Sequence, residues 1–140
     1  MKKPKFLALF GAAAVLLPTV FSTAAIAQTT ADNEYLSNLY SFLQGKDEVT
    51  YAMATSALTP AESVWAAQMF CQTFSAGVSP SDAFSIYTSS AVEQAAARGV
   101  GLTDEMAYAV GLYGGAVMNI GSAYYCPQYK SQVQQALQAL

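Results

Sequence analysis

TDEMAYAVGLYGGAVMNIGSAYYCP, residues 103–127, opens with a cap and two acids, and the chain then carries no charge as far as Tyr129. Thr103 is placed to accept from the amides of a first helical turn, and Asp104 and Glu105 sit where the helix dipole favours negative charge. Met106, Val110, Tyr113, Val117, Ile120 and Tyr124 recur at steps of four and three, with Leu112, Ala116, Ala123 and Cys126 on the flank beside them. Pro127 ends the run. A helix apolar nearly all round lies either in the middle of its domain or across a membrane. The stretch is long enough to span a bilayer, and Gly111-x-x-x-Gly115 resembles a membrane-helix contact motif. Asn119, the four tyrosines up to Tyr125, the four glycines and the shortage of large aliphatic residues weigh against a span. We therefore expect the central helix of an all-α domain, with Ala107, Gly111 and Gly115 admitting a neighbouring helix and no stable membrane span.

Three earlier segments have the same periodicity. Leu36, Leu39, Tyr40 and Leu43 predict a helix over about 33–44, with Asp32 as N-cap and Gly45 as its stop. Residues 46–58 read as a loop with at most a helical turn. Thr59-Pro60-Ala61-Glu62 has the form of a capping box with proline in the first turn. Val64, Ala67, Cys71, Phe74 and Val78 follow at helical steps, and Gly77 ends that helix. Ser79, Pro80 and Asp82 start the next, whose stripe is Phe84, Tyr87, Ala91 and Ala95; Thr88-Ser89-Ser90 is a place where it can bend, and Gly99 and Gly101 close it. After Pro127, Tyr129, Val133, Ala136 and Leu140 outline a short amphipathic tail, 129–140, expected to fray or pack loosely. No run alternates as a strand does. The expected fold is a small all-α bundle of four to five helices with its core in about 32–128.

The N-terminus reads as an address. Met1-Lys2-Lys3-Pro4-Lys5 precedes an uncharged apolar run from Phe6 to about Val20, and small residues lead to Ala25-Ile26-Ala27. This is the pattern of a secretory signal peptide, residues 1–27, cleaved after Ala27 to leave Gln28 first. Pro18 and the shortness of the run weigh against an uncleaved anchor. The single domain is then 28–140, secreted or periplasmic.

The 140 residues are 54% hydrophobic and 11% charged, which excludes a disordered chain. The signal takes three of the six basic residues, leaving Lys46, Arg98 and Lys130 against nine acids. Such a surface repels nucleic-acid backbones and anionic membranes, so no nucleic acid is expected as a partner. With no histidine there is no Ser-His-Asp or Cys-His catalysis and no His-ligated zinc, and two cysteines cannot form a four-thiolate site. Asp47-Glu48 and Asp104-Glu105 are adjacent pairs that do not face each other on a helix. Gly99-x-Gly101 follows no strand, and neither G-x-S-x-G nor S-x-x-K occurs. We expect no enzyme, no catalytic residue, no metal and no cofactor.

The two cysteines carry the clearest chemistry. In an oxidising compartment Cys71 and Cys126 are expected to pair, closing a loop of about 56 residues worth on the order of 4 kcal/mol in the chain-entropy model. The alternative, a redox pair or a thiol nucleophile, lacks both the C-x-x-C spacing and a base. All nine tyrosines lie after residue 27. Tyr108, Tyr113, Tyr124, Tyr125 and Tyr129 crowd the charge-free helix and its exit, where tyrosine can line an apolar pocket, ligate haem iron, or simply edge a helical core. Trp65, beside Met69, joins Tyr113, Tyr124 and Tyr125 as a candidate ligand or partner surface, with the core as its alternative place.

In order, Tyr35-Leu36-x-x-Leu39 with Gly45, Cys71-x-x-Phe74-x-x-Gly77-x-Ser79-Pro80-x-Asp82, Gly101-Leu102-Thr103-x-Glu105 and Ala123-Tyr124-Tyr125-Cys126-Pro127 resemble the bacterial domain of unknown function 732, a family of exported proteins of mycobacteria and their relatives. The resemblance covers about residues 32–128. It implies a small exported helical domain linked by a disulfide, with no established activity. Lys46 stands where the family commonly has isoleucine, and the tail 128–140 is additional. Two classes of function follow: a non-catalytic binding or structural module whose partner is a protein or envelope component, and a carrier of a small apolar ligand, a lipid or a porphyrin, between tyrosine-rich helices.

Overall fold

Five of the six α-helices in the computed structural model, which describes residues 28–140, start at a side chain that caps their first turn. Six α-helices follow one another: α1 (Thr30–Lys46), α2 (Glu48–Ala52), α3 (Pro60–Ser75), α4 (Pro80–Ala97), α5 (Asp104–Tyr125) and α6 (Lys130–Gln138). A π-helical turn, Met53–Ala57, extends α2, and a 3-10 turn, Pro127–Tyr129, joins α5 to α6. No strand occurs among the described residues. The all-α expectation holds, with six helices where four to five were expected. The signal peptide, 1–27, lies outside the described residues.

The strongest starts fall where the sequence put them. Thr59 Oγ1 accepts from Glu62 N at 3.2 Å and Glu62 Oε1 accepts from Thr59 N at 2.7 Å, closing the capping box of α3. Ser79 caps α4 and Thr103 caps α5, each by accepting a backbone amide at 3.1 Å. Gly77 and Gly99 take the positive φ values of 97° and 70° that end α3 and α4, and the amides of Val78 and Val100 reach back to Thr73 O and Ala95 O. α4 runs unbroken through Thr88-Ser89-Ser90. Thr59→Ala leaves the Glu62 amide without its side-chain partner and should cost about 1 kcal/mol, measurable as a lower urea midpoint with unchanged slope.

Three boundaries differ from the sequence reading, two of them because a side chain offered a cap the reading had not used. α1 begins at Thr30, because Thr29 and Asp32 form a capping box of their own, with bonds of 3.0 and 3.1 Å; Asp32 is its third helical residue and not the N-cap. Gly45 does not stop α1, which continues to Lys46 and ends at extended Asp47. Asp47 Oδ2 accepts from Thr50 N at 2.9 Å and from its hydroxyl at 2.6 Å, so the expected loop 46–58 begins as a helix. That segment buries Thr50, Met53, Ala54, Ala57 and Leu58. The tail is also not loose. Val133 is fully buried, Leu137 packs on the core, and the Tyr129 ring lies 5.6 Å from that of Phe74. The core therefore extends past residue 128.

α5 is the axis of the bundle and touches all five other helices. Val110, Tyr113, Val117 and Met118 are at most 4% exposed, as a helix apolar nearly all round requires of a central position. No helix among the described residues is long and apolar enough to cross a membrane. The close approaches, however, are not at Ala107, Gly111 and Gly115. A Cβ on Gly121 would stand 2.6 Å from Ala67 Cβ on α3, and one on Gly114 would enter the Tyr87 ring on α4. A Cβ on Gly111 would meet nothing within 4 Å, and Ala107 is exposed. The register of the small residues is set by Gly114 and Gly121.

Cys71 on α3 and Cys126 at the end of α5 are joined, with Cα atoms 5.8 Å apart across a sequence separation of 55. Both are buried, so the bond staples α3 to the exit of the central helix inside the core.

Candidate functional site

Tyrosine hydroxyls tie the helices together from within. Tyr35 on α1 donates to Ser63 O at 2.8 Å, and Ser63 Oγ shares a 2.8 Å hydrogen bond with Tyr113 on α5. Tyr87 on α4 donates to Val110 O at 2.8 Å, and Tyr125 donates to Asp32 Oδ1 at 2.5 Å, so one carboxylate serves both the α1 cap and the α5 exit. Burial pushes the hydroxyls of Tyr35, Tyr87 and Tyr113 well above their ordinary value of 10.0; for Tyr125 burial acts first and the Asp32 carboxylate adds to it. Ser63 and Tyr113 accordingly do not make a nucleophile and base, since a phenol held protonated removes no proton from a serine.

These shifts fix a sign for alkaline stability. In the unfolded chain the tyrosines ionise near 10.0, while the folded state keeps the buried ones protonated. Their contribution is complete below that pH and is lost as pH rises above it. We expect the tyrosinate absorbance of Tyr35, Tyr87 and Tyr113 to rise only together with the loss of helical circular dichroism, above about pH 10. Ionisation of these three with the helices intact would contradict their buried placement.

The four candidate surface residues do not form one surface. Trp65 is 7% exposed and Tyr113 1%, so both are core residues. Tyr124 and Tyr125 pack edge-on to Tyr35, with centroids 6.3 and 5.4 Å away, at the end of α5. Only Tyr124 of the four reaches the recesses described below. Its hydroxyl oxygen accepts from Asn38 Nδ2.

The recesses lie along the outer side of α5, where sequence reasoning placed a packed helix. A groove of about 220 Å³ has Gly111 and Gly115 as its floor and Phe42, Phe84, Leu112, Ile120, Leu137 and Leu140 as its sides. Past Ile120 it meets a cleft of about 360 Å³ lined by Asn38, Tyr124, Lys130 and Gln134, and a shallower recess of about 390 Å³ against Gln134 and Gln138. Asn119 lines all three, and its Oδ1 is buried with no hydrogen-bond partner among the described residues. Phe42 and Leu140 are 37% and 73% exposed. The signal for this groove was Gly111-x-x-x-Gly115, a stripe of small residues that the fold leaves uncovered. No cluster of three or more carboxylate or thiol side chains able to hold a metal occurs among the described residues.

Comparison with family models, with curated proteins and with solved structures returned no match. The resemblance to domain of unknown function 732 rests on the motifs that carry it.

Proposed function

We propose that this protein is an exported, non-catalytic helical module that binds its target through the groove on α5. The observation that carries this reading is the open apolar groove, whose floor at Gly111 meets nothing from the bundle. The Cys71–Cys126 bond fits an oxidising compartment outside the cytoplasm. The N-terminal pattern and the resemblance to an exported family support delivery there by a signal peptide cleaved after Ala27, to the periplasm, the envelope or the medium. The lack of histidine and the protonated state of the buried tyrosines support a binding role over catalysis.

Between a protein or envelope partner and a small apolar ligand, the groove favours the ligand as the second reading. The tyrosine lining does not contribute to it, because Tyr113 and Tyr125 are spent on interior hydrogen bonds. Fractionation of the native host followed by intact-mass analysis tests the proposal. The expected species starts at Gln28, lies outside the cytoplasm and is two hydrogens lighter than the dithiol. A cytoplasmic, full-length protein with free thiols would overturn it.

A further inference from the structure

Glycine inside a helix is costly relative to alanine, and it persists where something must come close. Gly114 and Gly121 meet that condition with Tyr87 and Ala67, whereas Gly111 admits nothing from this chain and Gly115 is met only by the side-chain tips of Leu137 at 3.6 Å and Phe84 at 4.0 Å. The floor they form runs toward Ala123 for about 18 Å at the helical rise per residue. One end is apolar, between Phe42, Leu112 and Leu137; the other is polar, with Lys130, Gln134, Asn38 and Tyr124. Because the Tyr124 oxygen accepts from Asn38, its own proton is left to donate into the cleft. Lys130 has no ion-pair partner among the described residues. Lys46, with Nζ 5.7 Å from the Phe42 ring centroid, stands at the apolar end. Lys130 thus lines the polar cleft that adjoins the groove, and Lys46 stands beside Phe42 on the groove's wall, in an otherwise acidic protein.

We propose that this groove binds a free long-chain fatty acid as its anion. The alkyl chain lies over Gly111 and Gly115, and the carboxylate meets Lys130, the Tyr124 hydroxyl and the Gln134 amide. The inference rests on the ligand-binding reading above and names its ligand. The groove's 220 Å³ falls below the roughly 300–1,000 Å³ that enclose a drug-sized molecule. With the adjoining polar cleft of about 360 Å³ it offers an apolar recess for one alkyl chain and a polar recess for its head group. The donors at the polar end select an anion over a neutral alcohol, and the overall acidity repels an anionic bilayer while leaving the Lys130 cleft to a single carboxylate.

Calorimetric titration of the exported, disulfide-bonded protein with tetradecanoate tests this, with tetradecanol and phosphatidylglycerol vesicles as comparisons. Saturable one-to-one binding is expected, roughly tenfold or more tighter than for tetradecanol, with no uptake onto vesicles. Gly111→Leu, whose Cβ meets nothing within 4 Å, puts a side chain into the groove and should weaken binding by roughly tenfold or more. Lys130→Gln should weaken it several-fold and abolish the preference for the acid. Phe42→Ser, at a part-exposed wall, gives a second loss that does not depend on how the glycine variant folds. Absence of saturable binding, wild-type affinity in both groove variants, or binding to vesicles in place of tetradecanoate would each overturn the inference. Because export and the disulfide are read separately by mass, such a result in the exported protein leaves the binding-module reading standing.

Discussion

Replacing Cys71 and Cys126 together by alanine should remove about 4 kcal/mol of stability. The bond spans a sequence separation of 55, so its loss restores a large loop-closure entropy to the unfolded chain. It also frees two elements that meet nowhere else through a covalent link: the middle of α3 and the exit of α5, where Tyr125 holds Asp32 and the turn into α6 begins. Alanine is the right replacement because both sulfurs are buried, and a serine hydroxyl would add a desolvation cost of its own. Against the roughly 5–15 kcal/mol typical of a domain this is a large share. Calorimetry of the oxidised protein and the double variant should show the thermal midpoint falling by roughly 15 °C. A fall of only a degree or two would mean that the helices alone fix the chain's ends.

Gly121→Val should be comparably damaging. Its first side-chain carbon would lie 2.6 Å from Ala67 Cβ and 3.4 Å from Ala67 Cα, so the obstacle is the α3 backbone and not a side chain that can turn away. α5 and α3 would have to move apart, opening the contact that the disulfide holds, at a cost of about 3 kcal/mol or more. Gly111→Ala, in the same helix, should instead stabilise by up to about 1 kcal/mol, since the added methyl meets nothing and the helix gains propensity. Urea denaturation of the two variants therefore gives opposite signs. Equal costs would place Gly111 in a packed contact and remove the groove.

The contrast between those glycines marks how far the sequence could be read. Helix starts were legible where a complete cap is written in consecutive residues, as at Thr59-x-x-Glu62, Ser79-x-x-Asp82 and Thr103. Asp47 was missed because an aspartate followed by glutamate reads as a soluble turn; the deciding partner, Thr50, lies three residues on and has its own alternatives. Gly45 misled for the opposite reason, since a glycine ends a helix only when the chain needs a positive φ there, and here Asp47 ends it instead. The central place of α5 followed from its charge-free length. Which of its glycines face neighbours did not, because Gly111 and Gly115 share the spacing of a contact motif while Gly114 and Gly121 make the contacts.

The groove shares that limit. Phe42, Leu112 and Leu137 come from α1, α5 and α6, Leu140 follows α6, and only the docking of α6 against α5 brings them to one recess. Tyrosines, in contrast, drew notice by number, and several proved to be interior ties while Tyr108 is exposed and Tyr124 lines the cleft. Tyr35, Tyr87 and Tyr113 each place a hydroxyl on a partner two or more turns away in another helix, satisfying groups that burial would otherwise leave costly.

Native mass spectrometry of the protein collected from its own host, wild type beside Gly111→Leu, tests the account most directly. It predicts wild-type protein carrying one single-chain fatty acid, with the variant folded and empty. Wild-type protein that is ligand-free, and stays so after tetradecanoate is added, would contradict it.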